Sequence, residues 1–425
     1  MMERPKVSFI TLGCKVNQYE TQAIRERFLQ GDYKETEGKA DIYLINSCTV
    51  TAEADRECRL LIRSCHRANP HAKIIVTGCY AQRDDQEIWK MEGVTHVIKN
   101  HDKARIRDIL GGREVQRPSA PAFYVPLSIS DFKDHTRAFI KVQDGCDYRC
   151  AFCKVWTVRG RSVSRAPQEI LEEARRLAEK GFKEVVLTGV SIGLYGKDLS
   201  QRVDLLDLVF MLEVIPQIER IRLSSIDPLD VTEILIEKLL RSEKCCRQLH
   251  LSLQSGSDEI LRRMNRNYTT SQYCAIVERL REKVPDFSIT TDVIVGFPGE
   301  EESHFQESLD FIRDITPTRI HAFPYSARKG TLAHRFQGAV DPSVIRERAR
   351  RLKAAALECS LRYRKPLLGQ IVTVLFERPE EEVILSGYTD RYVKVDCPAP
   401  LERWGKVVPV RIERLEGEKT FGKLV

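Results

Sequence analysis

The stretch QDGCDYRCAFC, residues 143–153, places Cys146, Cys150 and Cys153 within eight positions of the chain. No fourth ligand follows closely, and the nearest histidine, His135, lies well upstream. A structural zinc site needs four protein ligands, usually in two close pairs. Three thiolates on an iron–sulfur cluster would instead leave one iron without a protein ligand. The spacing favours such a cluster; a zinc site completed from elsewhere and three simply buried thiols are the alternatives.

This cysteine stretch begins at the end of the first of six apolar runs that alternate with amphipathic helical patterns. The runs are AFIKVQ, EVVLTGV, RIRLSSI, QLHLSLQS, SITTDVIVGF and RIHAFPYS. Six βα units in succession predict a partial (β/α)6 barrel over residues 132–363. In such a barrel the chemistry lies at the carboxyl ends of the strands, and the three cysteines occupy the first βα loop there.

Two further domains flank the predicted barrel, so the fold class is α/β with a small β-barrel at the end. Residues 3–115 contain the strand patterns VSFITL, DIYLIN and KIIVTG, each followed by a helix, which predict a parallel sheet. Residues 116–131 contain several prolines and no periodicity, and read as a linker. Five short strand patterns in residues 364–425 predict a small β-barrel of the oligonucleotide-binding kind.

The composition is that of a soluble globular protein, with 425 residues, 42% hydrophobic and 30% charged. No apolar run approaches the roughly 18 residues that span a membrane. The apolar stretch at the start of the chain is too short for a signal peptide. We therefore expect a cytoplasmic protein without a membrane partner. The net charge of +7 is compatible with an RNA partner, but no segment is a basic tail.

A second group of cysteines follows the three strand patterns of the first domain. Cys14, Cys48 and Cys79 each stand one or two residues beyond a predicted strand. Since parallel strands end at one edge of a sheet, the three thiols are expected to converge there. Buried strand-end cysteines are the alternative. Cys58 and Cys65 are predicted to face the core, and the remaining cysteines follow no ligand spacing.

Motifs along almost the whole chain resemble the methylthiotransferases of the radical S-adenosylmethionine superfamily, in their tRNA-modifying branch. The motifs are LGCKVNQYE, INSCTVT, TGCYAQ, GCDYRCAFC, LTGVSIGLYG, LSLQSGSDEILRRMNRNYT, DVIVGFPGE, FPYSARKGT and, in a TRAM-like tail, GYTDRYVKV. The resemblance implies two [4Fe–4S] clusters. Cys146, Cys150 and Cys153 would hold the one whose open iron chelates S-adenosylmethionine, and Cys14, Cys48 and Cys79 an auxiliary cluster linked to the inserted sulfur.

The chain departs from the family pattern at two places. Family members usually read Cys-Ile-Ile-Pro or Cys-Ile-Val-Pro after the third cysteine, whereas here Lys154, Val155 and Trp156 follow Cys153. The usual Arg-Pro-Gly-Thr appears with Lys329 in place of the proline. Neither departure removes an expected cluster ligand. Both are expected to affect how RNA or cofactor is held.

Cofactor-binding positions beyond the cysteines follow from the same resemblance. Phe152 resembles the aromatic residue that packs near the cofactor adenine, with a core aromatic as the alternative. Gly189 is placed where the methionine amino group approaches, with an ordinary turn glycine as the alternative. An aromatic C2–H of adenine is not acidic enough for a side-chain base, so a radical from S-adenosylmethionine is expected to act on it. We name no catalytic acid or base.

The expected substrate is a tRNA anticodon stem-loop, whose single-stranded bases can be splayed into a pocket. The motifs resemble most closely the branch that modifies N6-threonylcarbamoyladenosine at position 37. The alternatives are isopentenyl-adenosine tRNA, an aspartate of a ribosomal protein, and a non-catalytic, metal-stabilised RNA-binding protein. The protein-modifying branch usually has an acidic residue where this chain has Arg328, which favours RNA.

Partners and RNA-contacting residues complete the expectation. An electron donor such as flavodoxin or ferredoxin and a sulfur donor are required. The C-terminal barrel is expected to bind RNA without carrying chemistry. Candidate RNA contacts are Arg159, Arg161 and Arg165, the segment 262–268, and Tyr388, Tyr392 and Lys394 of the barrel.

Overall fold

The computed structural model describes residues 4–31, 33–112, 124–377 and 384–425. The linker predicted at 116–131 lies partly outside these ranges, as does the start of the strand predicted from EVILSGY. The domain boundaries therefore stay predictions. Within the described ranges, no helix has both the length and the apolar character needed to cross a membrane.

The first part of the chain forms a parallel five-stranded sheet in the order β2-β1-β3-β4-β5. Its strands are β1 (Lys6–Thr11), β2 (Lys34–Glu35), β3 (Ile42–Ser47), β4 (Lys73–Gly78) and β5 (Val94–Val97). The accompanying helices are α1 (Lys15–Leu29), α2 (Ala52–Ala68), α3 (Cys79–Arg83), α4 (Asp85–Trp89) and α5 (Ile106–Leu110). The three predicted βα units are confirmed. The edge strands β2 and β5 were not predicted, because they are short and their partly exposed residues form no apolar run.

The central part contains the six predicted strands, all parallel, in two sheets of order β10-β9-β6 and β11-β12-β13-β14. Its strands are β6 (Arg137–Lys141), β7 (Gln143–Asp144), β8 (Val163–Ser164), β9 (Glu184–Thr188), β10 (Arg220–Leu223), β11 (Ser225–Ile226), β12 (Gln248–Leu251), β13 (Ser288–Val295) and β14 (Arg319–Pro324). Nine strands correspond to the six predicted ones for two reasons. The strand predicted from RIRLSSI is interrupted at Ser224 and forms both β10 and β11, and β7 and β8 form a small hairpin outside the two sheets.

Helices follow these central strands along the chain. They are α6 (Val155–Arg159), α7 (Pro167–Glu179), α8 (Leu205–Glu213), α9 (Glu233–Arg241), α10 (Asp258–Arg263), α11 (Thr270–Lys283), α12 (Glu302–Ile315) and α13 (Pro342–Arg364). The arrangement confirms the predicted partial barrel.

The last part forms the predicted five-stranded barrel, closed in the order β15-β16-β17-β19-β18. Its strands are β15 (Ile371–Phe376), β16 (Ile384–Thr389), β17 (Lys394–Pro398), β18 (Val407–Glu416) and β19 (Lys419–Leu424). Along β18, buried and exposed residues alternate, with Val408, Val410 and Ile412 facing the core. This period of two is what a strand with one buried face requires.

Arginines of the central part hold the C-terminal barrel in place. Arg220 donates to the carbonyl oxygens of Tyr388 and Thr373, at 2.9 and 2.7 Å. Arg222 donates to the carbonyl oxygens of Asp390 and Thr389, at 2.9 and 3.0 Å. Since these guanidinium groups are almost fully buried, the contacts keep their donors paired and fix the orientation of the barrel.

A buried charge network joins the first part to the central part. The Glu20 carboxylate, on α1, accepts from Lys141 at 2.8 Å, from Arg159 at 2.6 Å, and from Lys103. The Asp144 carboxylate also forms ion pairs with Lys141, at 2.5 Å, and with Arg159, at 3.2 Å. Burial raises the pKa of Glu20, but the charges of Arg159, Lys103 and Lys141 outweigh it and hold that pKa well below its usual range.

Replacing Glu20 by Ala is expected to destabilise the protein by about 3–5 kcal/mol, because it leaves buried cations without their carboxylate. Chemical denaturation followed by circular dichroism measures the change. The matched control is Glu53→Ala, whose carboxylate is 68% exposed and pairs only with Arg56. That control should stay within about 0.5 kcal/mol of the original protein. Equal losses for both variants would contradict the assignment.

The contribution of Glu20 should also depend on pH, in a defined direction. Because its folded-state pKa is depressed, its stabilisation is fully present above the unfolded-state pKa of about 4.3. It is lost as the pH falls from there through the folded-state pKa. The stability difference between the original protein and Glu20→Gln should therefore be constant near neutrality and shrink below about pH 4.3. A difference that grows on acidification would contradict the expected sign.

Candidate functional site

The loop that carries Cys146, Cys150 and Cys153 is shaped by a glycine and a hairpin. Gly145 has φ +71°, and a Cβ there would lie 1.9 Å from the carbonyl oxygen of Arg161. The Cys146 N–H donates to the carbonyl oxygen of Gly160 at 3.0 Å, beside the pairing of β7 with β8. The Cys153 N–H donates to the carbonyl oxygen of Cys150 at 3.0 Å. The three thiols are thus held on one compact turn.

Neighbouring loops hold the other side of this cysteine turn. The Ala151 N–H donates to the carbonyl oxygen of Met264 at 2.8 Å, and the Ala333 N–H donates to that of Ala151 at 2.9 Å. Arg266 Nη1 donates to Cys150 Sγ at 3.3 Å and is anchored to Asp227 at 2.7 Å. Segment 262–268 therefore supports the cysteine turn, so its prediction as an RNA contact is wrong for the buried residues Arg266 and Tyr268.

The second group of thiols lines one cavity of about 610 Å³. Cys14, Cys48 and Cys79 follow β1, β3 and β4, at the carboxyl edge of the first sheet. A Cβ on Gly13 would lie 2.7 Å from Cys48 Sγ, so only glycine fits between these two turns. Cys79 Sγ accepts from Arg159 Nε at 3.3 Å. The structure therefore brings together the three thiols that the sequence places at strand ends.

The burial of the thiols bears on what each triad can hold. Burial raises the pKa of Cys153 and Cys48 to about 12 and that of Cys146 to about 11, so these thiols need a strong cationic partner to ionise. Both donor sets fit a metal centre, which would supply that charge.

All three parts of the chain contribute to the cavity. The first sheet supplies the cysteines, and the partial barrel supplies residues at the ends and inner faces of its strands. The C-terminal barrel supplies Tyr392; the expectation that the barrel carries no chemistry stays a prediction. The lining includes Cys14, Lys15, Asn17, Cys48, Cys79, Arg137, Arg159, Thr188, Gly189, Arg222, Gln248, His250, Thr290, Asp292, His321, Phe323 and Tyr392.

Gly189 and Phe152 lie in different surroundings. Gly189 lines the cavity, and a Cβ there would lie 2.8 Å from both the carbonyl and side-chain oxygens of Gln143. Close packing against the cysteine loop is thus sufficient reason for a glycine. Phe152 is half-buried and packs on an apolar cluster that includes Ile260 and Met264. Phe152 does not line the cavity. The cofactor role of both residues stays a prediction.

Several arginines predicted to contact RNA are engaged inside the protein instead. Arg159 is in the Glu20 network, and Arg165 pairs with the buried Glu173 at 3.1 Å. Both predictions are wrong, because the partners of these arginines come from other elements. Arg161 is exposed and stays a candidate. Arg328 donates to Asp55 and to Thr49, so it joins the central part to the first sheet.

The family departures fall near this Arg328 contact. Lys154 is buried, and a Cβ on Gly330 would lie 3.9 Å from its Nζ. The Trp156 ring lies under the guanidinium of Arg149, at 5.0 Å. Lys329 is exposed.

The sequence analysis missed a polar group on three adjacent strands of the partial barrel. His250, Asp292 and His321 lie on β12, β13 and β14 and line the cavity. The available signal was the occurrence of polar residues at alternate positions in otherwise apolar strands, as in QLHL and TTDV. Without strand order, those isolated positions could not be joined into one site.

A second groove, of about 540 Å³, lies beside the cavity and shares His321 and Tyr392 with it. We call it the basic groove, because the exposed cations Arg319, Lys353 and Lys394 line it. Tyr388 also lines it, but stacks on Tyr392 at 4.7 Å, and the Arg137 guanidinium lies 4.7 Å from the Tyr388 ring and 5.6 Å from the Tyr392 ring. Of the barrel residues predicted to meet RNA, Lys394 is the exposed one.

Comparisons with known proteins agree along nearly the whole chain. Residues 140–312 match the Radical SAM superfamily, and residues 6–99 match the Uncharacterized protein family UPF0004. Threonylcarbamoyladenosine tRNA methylthiotransferase MtaB of Bacillus subtilis is 39% identical over 96% of this chain and 93% of its own length. The protein of the same name from Thermotoga maritima is 40% identical, over 96% and 94%.

One further relative and one solved structure are also similar to this chain. A tRNA-2-methylthio-N(6)-dimethylallyladenosine synthase of Clostridium novyi is 31% identical over 98% of this chain and 95% of its own. The solved structure of the radical S-adenosylmethionine methyltransferase TsrM from Kitasatospora setae, with cobalamin and a [4Fe-4S] cluster bound, has a TM-score of 0.54 at 15% identity. It covers 76% of this chain and 75% of that chain, and shows the fold alone. On the near-full-length identities, the chain belongs to the methylthiotransferase family of the radical S-adenosylmethionine superfamily.

Proposed function

We propose that this protein adds a methylthio group at C2 of N6-threonylcarbamoyladenosine at position 37 of tRNA, next to the anticodon. The observation that carries the proposal is the cavity, which brings Cys14, Cys48 and Cys79 to the strand ends of the partial barrel. The relatives whose names state this reaction, at 39% and 40% identity, support the choice of substrate. The site of action is the cytoplasm.

The six cysteines are assigned to two [4Fe–4S] clusters. Cys146, Cys150 and Cys153 hold the cluster whose fourth iron binds S-adenosylmethionine, and Cys14, Cys48 and Cys79 hold the auxiliary cluster. When bound, the clusters and S-adenosylmethionine supply the electron, the radical, the sulfur and the methyl group. The electron comes from a carrier such as flavodoxin or ferredoxin, and the sulfur comes from a separate donor.

The chain itself supplies position and electrostatics around these groups. Arg159 donates to Cys79 Sγ, while its other nitrogens are held by Glu20 and by Asn17 at 2.8 Å. Gln143 Oε1 accepts from the N–H groups of Val190 and Ser191, at 3.0 and 2.9 Å, and so ties the first cysteine loop to the loop of Gly189. These contacts fix the two triads relative to each other, as reactions that require close approach demand.

The basic groove is the proposed seat of the tRNA backbone. Its exposed cations suit phosphate contacts, and His321 and Tyr392 connect it to the cavity. A stem-loop held there can direct a splayed base 37 into the cavity.

The substrate is tested by mass spectrometry of tRNA nucleosides from a deletion strain. The proposal requires the loss of 2-methylthio-N6-threonylcarbamoyladenosine and its return on complementation. Loss of the methylthio derivative of isopentenyl-adenosine instead would establish the reaction of the Clostridium novyi relative.

Anaerobically reconstituted protein should contain about eight irons per chain. Replacing Cys146, Cys150 and Cys153 by Ala should halve the iron and abolish S-adenosylmethionine cleavage, measured as 5′-deoxyadenosine. Replacing Cys14, Cys48 and Cys79 should also halve the iron but leave that cleavage largely intact. A Cys58→Ala variant, which alters a buried thiol outside both triads, serves as control and should keep all the iron. Zinc in place of iron would overturn the assignment.

Removing two charges from the basic groove should weaken tRNA binding mainly through its salt-dependent part. The variant Lys353→Gln/Lys394→Gln is expected to lower the slope of log affinity against log salt by about 2, since each phosphate contact releases about one counterion. Lys180→Gln, an exposed lysine outside the groove, is the control. Iron content should not change in either variant. An unchanged slope in the double variant would place the backbone contacts elsewhere.

A further inference from the structure

The polar group formed by His250, Asp292 and His321 lies in the cavity and is not used by the cluster assignments. Asp292 Oδ2 lies 3.2 Å from His250 Nε2, and Asp292 Oδ1 lies 3.0 Å from His321 Nδ1. The strand register places Asp292 beside His321 and Thr290 beside His250. The carboxylate is therefore held between two imidazole rings at one level of the partial barrel.

A chain of hydrogen bonds fixes how these rings are oriented. Arg222, which can only donate, binds Gln248 Oε1 at 3.2 Å and so directs Gln248 Nε2 toward Thr290 Oγ1, at 2.9 Å. The Thr290 hydroxyl is then free to donate to His250 Nδ1, at 3.0 Å. His250 Nε2–H in turn donates to Asp292.

His321 has one ring nitrogen that is not engaged within the group. Its Nδ1–H donates to Asp292, which leaves Nε2 as its second polar atom. Within the described part of the chain Nε2 has no hydrogen-bond partner, and the side chain is 38% exposed. His321 borders both the cavity and the basic groove, so a base entering from the groove passes it.

We propose that the His250–Asp292–His321 group recognises the polar substituent on N6 of the target adenosine, with His321 as the specificity-determining residue. This inference rests on the proposed function. A threonylcarbamoyl group carries a carboxylate, a hydroxyl and a urea. A neutral His321 Nε2 accepts from the hydroxyl or a urea N–H, and a protonated one donates to the carboxylate. A dimethylallyl group offers neither partner and would leave these polar atoms unpaired, which a hydrogen-bonding site penalises strongly.

The same three side chains are also a possible set of metal ligands, since one donor atom from each lies within 4.8 Å of the others. Two observations favour the substrate. Both carboxylate oxygens already accept from an imidazole, and no atom of the three residues is among the buried polar atoms without a partner in the described chain. The contacts among the three side chains are therefore complete without an ion, and His321 Nε2 is the atom left for a ligand.

The test measures binding of three anticodon stem-loops to the reconstituted holoenzyme, with adenosine, N6-threonylcarbamoyladenosine or isopentenyl-adenosine at position 37. The original protein should prefer the threonylcarbamoyl form by about tenfold or more. His321→Asn keeps a nitrogen toward Asp292 but removes the Nε2 position, and should lose the preference. His321→Gln places an amide near Nε2 and should recover part of it. His334→Asn, an exposed histidine outside the cavity, should behave like the original protein.

Iron content and the far-UV circular dichroism spectrum should be equal in all four proteins, which separates recognition from misfolding. If the original protein prefers the threonylcarbamoyl stem-loop and His321→Asn does too, the inference is overturned while the proposed function stands. A preference of the original protein for the isopentenyl form overturns both. If the original protein holds one zinc or one iron more per chain than His321→Asn, the group is a metal site. That result would also overturn the inference.

Discussion

The rest of the site depends on the ion pairs that the buried Glu20 carboxylate forms with three cations. This carboxylate neutralises Lys103 from the first part of the chain and Lys141 and Arg159 from the central part. Arg159 ends the helix that begins just after Cys153, and it donates to Cys79 Sγ. One carboxylate therefore fixes the position of the strand ends that carry Cys14, Cys48 and Cys79 relative to the loop that carries Cys146, Cys150 and Cys153. Buried ion pairs add little net stability compared with apolar packing, but breaking one is costly. In this protein we interpret the network as a device that fixes geometry.

The elements that could be predicted from the sequence are those whose cause is local. Short strand patterns rich in apolar residues predicted the central strands and the three main strands of the first sheet, because strands buried on both faces require such residues. The spacing of Cys146, Cys150 and Cys153 was equally informative, since three thiols on one turn must lie close together. The two-residue strand β2 and the half-exposed strand β5 were missed because pairing with a neighbour, not composition, makes them strands.

The errors concern charged residues whose partners are distant in sequence. Arg159 and Arg165 lie in a stretch that looks like a basic surface loop, yet Arg159 pairs with a carboxylate 139 residues away. Desolvating an arginine is tolerated only with such a partner, and no local pattern announces it. The His250–Asp292–His321 group was missed for the same reason. Each residue is unremarkable on its own strand, and the site exists only once β12, β13 and β14 are neighbours.

The docking of the C-terminal barrel places it against the cavity as well as the basic groove. Arg220 and Arg222 bind its backbone carbonyl oxygens, and Arg137 pairs with Glu377 at 2.8 Å and covers the Tyr388 ring. Tyr392, with φ +63°, is thereby held in the wall of the cavity. Because the same tyrosine borders the basic groove, a shift of the barrel moves the groove and the cavity wall together. Tyr392 thus belongs to the wall of the cavity and to the basic groove at once, and the arginine contacts hold both in one arrangement.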